Sequence, residues 1–186
     1  MSAPVVNPAP VGILVLRGER VESRHRVSYA VADVTGALRH AEGESDRPVF
    51  PRSAVKPLQA LVLLESGAAG RFQVSQAELA LACASHGGEP VHVDLVRRWL
   101  ARLGLDQTAL ECGTHPPSHA PSAERLLAAG QTPEPGHNNC SGKHTAMLTV
   151  ARHIAAPLAG YIAADHPVQR LVAATLAEMA GVAALP

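Results

Sequence analysis

Lysine is nearly missing from this chain: there are two, Lys56 and Lys143, against fourteen arginines. Arginine stays protonated, whereas a desolvated lysine can lose its proton and act as a base. The two lysines are therefore candidates for work that arginine cannot do; the plain alternative is two ordinary surface cations. Aromatic residues make up only 3%, which excludes a base-stacking platform. Sixteen cations balance sixteen anions, so no global basic field exists to hold nucleic acid or an anionic membrane. No apolar run approaches the ~18 residues of a membrane span, and Met1 to Pro10 is Pro-rich without the charged-then-apolar order of a signal peptide. Three cysteines, Cys83, Cys112 and Cys140, cannot all pair within one chain, so a reduced, cytoplasmic setting is expected. What is present is 47% hydrophobic residues over 186 positions. That excludes disorder and suits one domain or one and a half.

Patterning divides the chain further. Residues 1–10 read as a loose tail. Val11 to Leu16 is a continuous apolar run, expected to be a buried strand; Val27 to Val34 alternates, and Thr35-Gly36 follows as a turn, so a hairpin is expected near the N-terminus. Glu42 to Arg47 reads as polar loop. Helices are expected over Ser53 to Glu65, from the near capping box Ser75-Gln76-Ala77-Glu78 to about Ala84, and over His92 to Leu103, where Leu95, Val96, Trp99, Leu100 and Leu103 share one side. Further helices are expected over Pro121 to Ala129, Ser141 to Ile154 and Pro167 to Ala180, separated by loops at 112–121 and 131–139.

Three constellations can carry chemistry. In Arg52-Ser53-Ala54-Val55-Lys56-Pro57, Ser and Lys three apart at a helix start fall on one face. A neutral Lys56 there can take the Ser53 proton as the hydroxyl attacks a carbonyl, and nearby backbone N–H groups can hold the oxyanion. The alternative is an N-cap serine and an exposed lysine. In Cys83-Ala84-Ser85-His86-Gly87-Gly88, the glycines permit close backbone approach to a ligand, Ser85 offers a second hydroxyl, Gly87 an N–H and His86 a base; the alternative is a helix-ending turn. In His137-Asn138-Asn139-Cys140-Ser141-Gly142-Lys143-His144, a Cys140 thiolate beside the Lys143 ammonium can be reactive or ligate a metal, Cys112 with His115 can add donors, and Asn138 and Asn139 offer amides to an amino-acid substrate. The alternative there is a small buried cysteine behind a capping loop.

These segments together resemble the asparaginase II family, the rhizobial-type L-asparaginases. The resemblance rests on Glu22-Ser23-Arg24-His25-Arg26, Phe50-Pro51-Arg52-Ser53-Ala54-Val55-Lys56-Pro57-Leu58-Gln59-Ala60, Ala84-Ser85-His86-Gly87-Gly88-Glu89, Glu111-Cys112-Gly113 and His137 to Thr145, in that order. It implies an α/β fold of the α+β kind, with a β-lactamase- or penicillin-binding-protein-like sheet flanked by helices. Residues 11–186 would be the N-terminal part of one catalytic domain, its sheet incomplete at the C-terminus. The resemblance also implies hydrolysis of L-asparagine to L-aspartate and ammonia. Ser53, Lys56 and Ser85 would be catalytic, and Arg52, Gly87 and Asn138 would contact substrate. No cofactor is implied as required, although some members hold zinc through positions matching Cys140 and Lys143. Family members are longer, and the lysine that partners the second serine, a further cysteine ligand and later strands correspond to positions beyond residue 186.

The leading expectation is thus an amidohydrolase acting on L-asparagine through a Ser53–Lys56 pair, with the choice of nucleophile between Ser53 and Ser85 left open. Two rivals stand beside it: a β-lactamase-like serine acyl hydrolase using the same pair, and an inactive fragment that binds an amino acid or a metal. The expected partner is the small-molecule substrate, L-asparagine, with a homodimer as one option for assembly.

Overall fold

The computed structural model describes residues 9–183, so most of the expected tail lies outside the described residues. The described chain is mixed α and β, with two small antiparallel sheets and many helices. The described residues divide into two compact units, one ending at Phe50 and one beginning at Pro51.

The first unit contains two hairpins rather than the single one expected. β1 (Val11–Arg17) pairs antiparallel with β2 (Arg20–Arg26), and β3 (Tyr29–Ala32) with β4 (Leu38–Glu42). Gly18, at φ +62, makes the first two-residue turn possible. β2 has the sequence RVESRHR, whose charge gives no strand periodicity; pairing to β1 overrides propensity there. Asp33 organises the second turn by accepting from Thr35 N (2.8 Å), Thr35 Oγ1 (2.6 Å) and Ala37 N (3.1 Å). The apolar run at Val11 to Leu16 is a strand, as expected, but none of it is buried: Ile13 is 55% and Leu16 56% exposed. A two-stranded ribbon has no second layer of its own, so both faces of β1 stay open within the unit.

The second unit is helical. A 3-10 turn over Arg52–Val55 leads into α1 (Lys56–Glu65), followed by α2 (Ala68–Arg71), α3 (Gln76–Cys83) and α4 (Pro90–Arg102). Then come α5 (Ala120–Ala128), α6 (Ser141–His153) and α7 (Pro167–Ala180). The capping box before α3 is present: Ser75 N–H donates to Glu78 Oε2 (2.9 Å) and Glu78 N–H to Ser75 Oγ (3.3 Å). Arg102 from α4 grips the same buried Glu78 carboxylate through two bonds of 2.6 and 2.8 Å. Burial pushes that carboxyl's pKa up, but the bonds from Arg102 and Ser75 outweigh it and hold the pKa below its ordinary value.

α6 is the centre of the unit and packs against α1, α3, α4 and α7. Because neighbours surround it, it is buried almost all round rather than along one stripe. Its threonines are accommodated because Thr145 Oγ1 donates to Ser141 O and Thr149 Oγ1 to Thr145 O, each at 2.8 Å. Trp99, Leu100 and Val96 of α4 and Leu63 of α1 complete the core. On α1, Lys56, Ala60, Val62 and Leu63 are buried, while Leu64 is 47% exposed. The regular helix begins at Lys56 with Pro57 in its first turn, and that start sets which residues face the core.

α3 and α6 touch at Gly142. A Cβ built there would lie 2.6 Å from Leu81 O and 2.7 Å from Leu81 Cγ. This contact seats the end of α3 against the start of α6, where the candidate site lies. Gly142→Ala is therefore expected to cost about 2 kcal/mol through overpacking, read as a lower urea midpoint at unchanged m-value.

Candidate functional site

The site is built where three chain segments meet: the start of α1, the loop leaving α3, and the turn entering α6. Lys56, at the first position of α1, points inward and is only 2% exposed. Its Nζ donates to Ala84 O (2.8 Å), Ser85 Oγ (2.8 Å) and Asn139 O (3.4 Å). An ammonium has three N–H bonds, and each finds an acceptor here. The two carbonyls can only accept, whereas the hydroxyl can accept or donate. A neutral amine would keep its two N–H bonds on the carbonyls and turn its lone pair to the Ser85 proton. The same pocket thus serves both protonation states without rearrangement.

Ser85 is exposed, directly beyond the extended Ala84 that ends α3. Its N–H and that of Gly87 have no protein partner among the described residues, so both are free to meet a ligand oxygen. Gly87 O holds His119 N–H at 3.0 Å. Gly88 takes φ +75, with Pro117 Cα and His137 O both 3.0 Å from where a Cβ would stand, so this turn requires glycine. Ser53 sits exposed on the 3-10 turn, and among the described residues it shares no hydrogen bond with Lys56; the amine that the spacing assigns to Ser53 bonds Ser85 instead. The cause is the inward course of the Lys56 side chain at the helix start. Arg52 is exposed at φ +52, a conformation costing a non-glycine residue about 1 kcal/mol or more.

His86 does not present a free base. Its Nδ1 accepts from Gly88 N–H (3.1 Å), so Nε2 carries the proton and donates to Ser141 Oγ (2.8 Å), which in turn donates to Gly136 O (3.0 Å). Burial, reinforced by the charges of His92 and Lys56, pushes its pKa down to about 4. His144 is similar. Tyr161 Oη accepts Glu111 N–H (2.8 Å) and gives its own proton to His144 Nδ1 (2.7 Å). Burial and then Lys143 push the His144 pKa down to about 4, and burial pushes the Tyr161 pKa up.

Asn138 is buried, and its amide is committed to the backbone. Nδ2 donates to Cys112 O (2.8 Å) and Gly113 O (3.2 Å), and Oδ1 accepts from Cys140 N–H (2.8 Å). It clips the Cys112–Gly113 loop to the start of α6 and keeps one carbonyl lone pair for a ligand. His115 uses both ring nitrogens, donating from Nδ1 to Pro116 O (2.7 Å) and accepting from Asn139 N–H at Nε2 (3.2 Å). It is therefore not an available metal donor. Cys112 bonds Pro135 O (3.7 Å), and burial pushes its thiol pKa up to about 11. Cys140 and Lys143 are half-buried, with Lys143 lining a small apolar cavity beside Gln59 and Met147. Among the described residues no group of three His, Cys, Asp or Glu side chains can hold a metal. Cys140 and Lys143 by themselves fall short of the three or four protein ligands a zinc centre uses.

A separate cleft of about 760 Å³ lies against α4 and α5, lined by residues including Arg97, Ser122, Arg125 and His137; none of Ser53, Lys56 or Ser85 borders it. The groups that sequence reading missed are the Ala84 and Asn139 carbonyls. Backbone acceptors carry no residue-type signal, so only the fold could reveal them. Among the described residues no helix is long and apolar enough to cross a membrane. No curated protein sequence matches the chain. The model of one protein family, described as L-asparaginase II, matches residues 13–185.

Proposed function

The chain belongs to the L-asparaginase II family, and on that premise we propose that it hydrolyses the side-chain amide of L-asparagine to L-aspartate and ammonia with Lys56 serving Ser85. The observation that carries this reading is the 2.8 Å bond between the buried Lys56 Nζ and the exposed Ser85 Oγ. In the reaction, neutral Lys56 takes the Ser85 proton as Oγ attacks the amide carbon. The free N–H groups of Ser85 and Gly87 meet the developing oxyanion. The tetrahedral intermediate collapses, Lys56 returns the proton to the leaving nitrogen, and ammonia departs. Water, deprotonated by Lys56, then attacks the acyl ester, and Lys56 returns the proton to the departing Ser85 Oγ as aspartate is released. Arg52 pairs with the substrate's α-carboxylate, Ser53 orients the amide, and Asn138 acts mainly by fixing the loop at Cys112 and Gly113. The helical unit, with Lys56 at the start of its first long helix, is read as the helical part of a serine β-lactamase-like fold. No step uses a metal.

The test is ammonia release from L-asparagine by the purified chain and its variants. Ser85→Ala is expected to lower kcat by at least about a thousandfold, the scale of losing an activated nucleophile. Ser53→Ala is expected to lose far less. The reverse order, with Ser53→Ala inactive and Ser85→Ala active, would return the nucleophile's role to Ser53.

A further inference from the structure

We propose that His115 is a positioning residue for Lys56, acting through the backbone of Asn139; this rests on the Ser85–Lys56 reading above. Asn139 lies between a 3-10 turn (Pro135–His137) and α6, outside any helical ladder. Its carbonyl holds two donors at long range, Lys56 Nζ at 3.4 Å and His86 N–H at 3.3 Å. At that length a shift of a few tenths of an ångström removes the bond to the amine. The Asn139 N–H is held by one acceptor, His115 Nε2 at 3.2 Å. The ring cannot donate from that nitrogen, because its single proton sits on Nδ1, bonded to Pro116 O at 2.7 Å. His115 is thus fixed as an acceptor.

The loop that carries His115 is itself tied to α6 by the bonds from Asn138 to Cys112 O and Gly113 O. The imidazole therefore transmits the position of this loop to Asn139, and Asn139 to the amine that activates Ser85. His115 has no hydrogen bond to Lys56, Ser85 or Ser53 among the described residues, so its influence on them is indirect.

The experiment compares His115→Gln with His115→Asn in the full chain. A glutamine carbonyl can reach the Asn139 N–H; the asparagine carbonyl is one methylene short. The readouts are the rate at which a fluorophosphonate probe labels Ser85, located by peptide mapping, and kcat with KM for L-asparagine. The asparagine variant is expected to label about tenfold more slowly and to show a matching fall in kcat at unchanged KM. The glutamine variant is expected to stay within about twofold of the parent. Near-UV circular dichroism establishes that both variants are folded.

Equal labelling by the asparagine variant and the parent would overturn the assignment. So would equal slowing in both variants, which would make His115 a packing element of its loop. A parent chain that labels nowhere at Ser85 would overturn the Ser85–Lys56 reading and this proposal with it. A parent that labels Ser85 while the asparagine variant is unaffected would overturn this proposal alone.

Discussion

Lys56→Met is expected to lower ammonia release by at least about a thousandfold while leaving the fold in place. General-base removal alone is worth about a hundred- to ten-thousandfold, and here the same amine serves acylation, leaving-group protonation and deacylation. Methionine matches the length of the lysine stem but offers no donor and no lone pair. Ala84 O, half-buried, then loses the one side-chain donor it has among the described residues, a cost of about 1 kcal/mol. Asn139 O keeps the His86 N–H. Against that loss, replacing a polar head group buried to 2% exposure by an apolar one relieves its desolvation cost. The two effects oppose each other, so thermal unfolding should shift little although turnover is abolished. Lys56→Arg is expected to be equally inactive, because a guanidinium keeps its proton. Ammonia release beside a melting curve checks both substitutions. A Lys56→Met protein that unfolds at room temperature would mean that the buried amine is chiefly structural.

The second large effect concerns pH. His86 and His144 are neutral in the folded chain, each with its pKa pushed from 6.5 to about 4, chiefly by burial. Both offer Nδ1 as an acceptor, to Gly88 N–H and to the Tyr161 hydroxyl, and an imidazolium can accept neither bond. Below pH 6.5 the unfolded chain binds protons that the folded chain refuses, so stability falls as pH falls. The contribution is complete above pH 6.5 and is lost progressively down to about pH 4. Each histidine contributes about 3 kcal/mol across that window. Glu78 adds to the same trend at the acid end, since its carboxyl is held below its ordinary value in the fold and its contribution is lost as pH drops through that lower range. Urea denaturation between pH 7.5 and 4.5 should show a steep loss of stability. His144→Gln, which keeps polarity without titrating, should flatten the slope by about half. An unchanged slope in that variant would remove His144 from the account.

The long helices were legible in the sequence because their signals are local. Pro167 opens α7 and Gly181 closes it, at φ +67, as the residue types require. Ser75 and Glu78 announce α3, and the apolar side of α4 ends in the core with Trp99 and Leu100 buried. Ser85, Lys56 and the Gly87-Gly88 turn were equally legible, since each has a side chain or a missing one that chemistry needs. The partner of Lys56 was not legible. Spacing within one helix turn put Ser53 beside it, but the amine lies closest to a residue 29 positions away. Only the packing of α1 on α3 brings that residue near. The second hairpin was missed for a related reason: β2 and β4 are polar strands defined by what they pair with. His115 and Asn138 carry residue types that suggest ligands, yet their polar atoms mainly hold backbone groups.

The most direct test of the central claim is to find which atom the substrate acylates or alkylates. The chain should be treated with a diazoketone analogue of L-asparagine, digested, and the modified residue located by mass spectrometry, with Lys56→Met treated in parallel. The Ser85–Lys56 account predicts a single adduct on Ser85 that Lys56→Met fails to form. An adduct on Ser53, or one on Ser85 that forms at the same rate without the Lys56 amine, would contradict it.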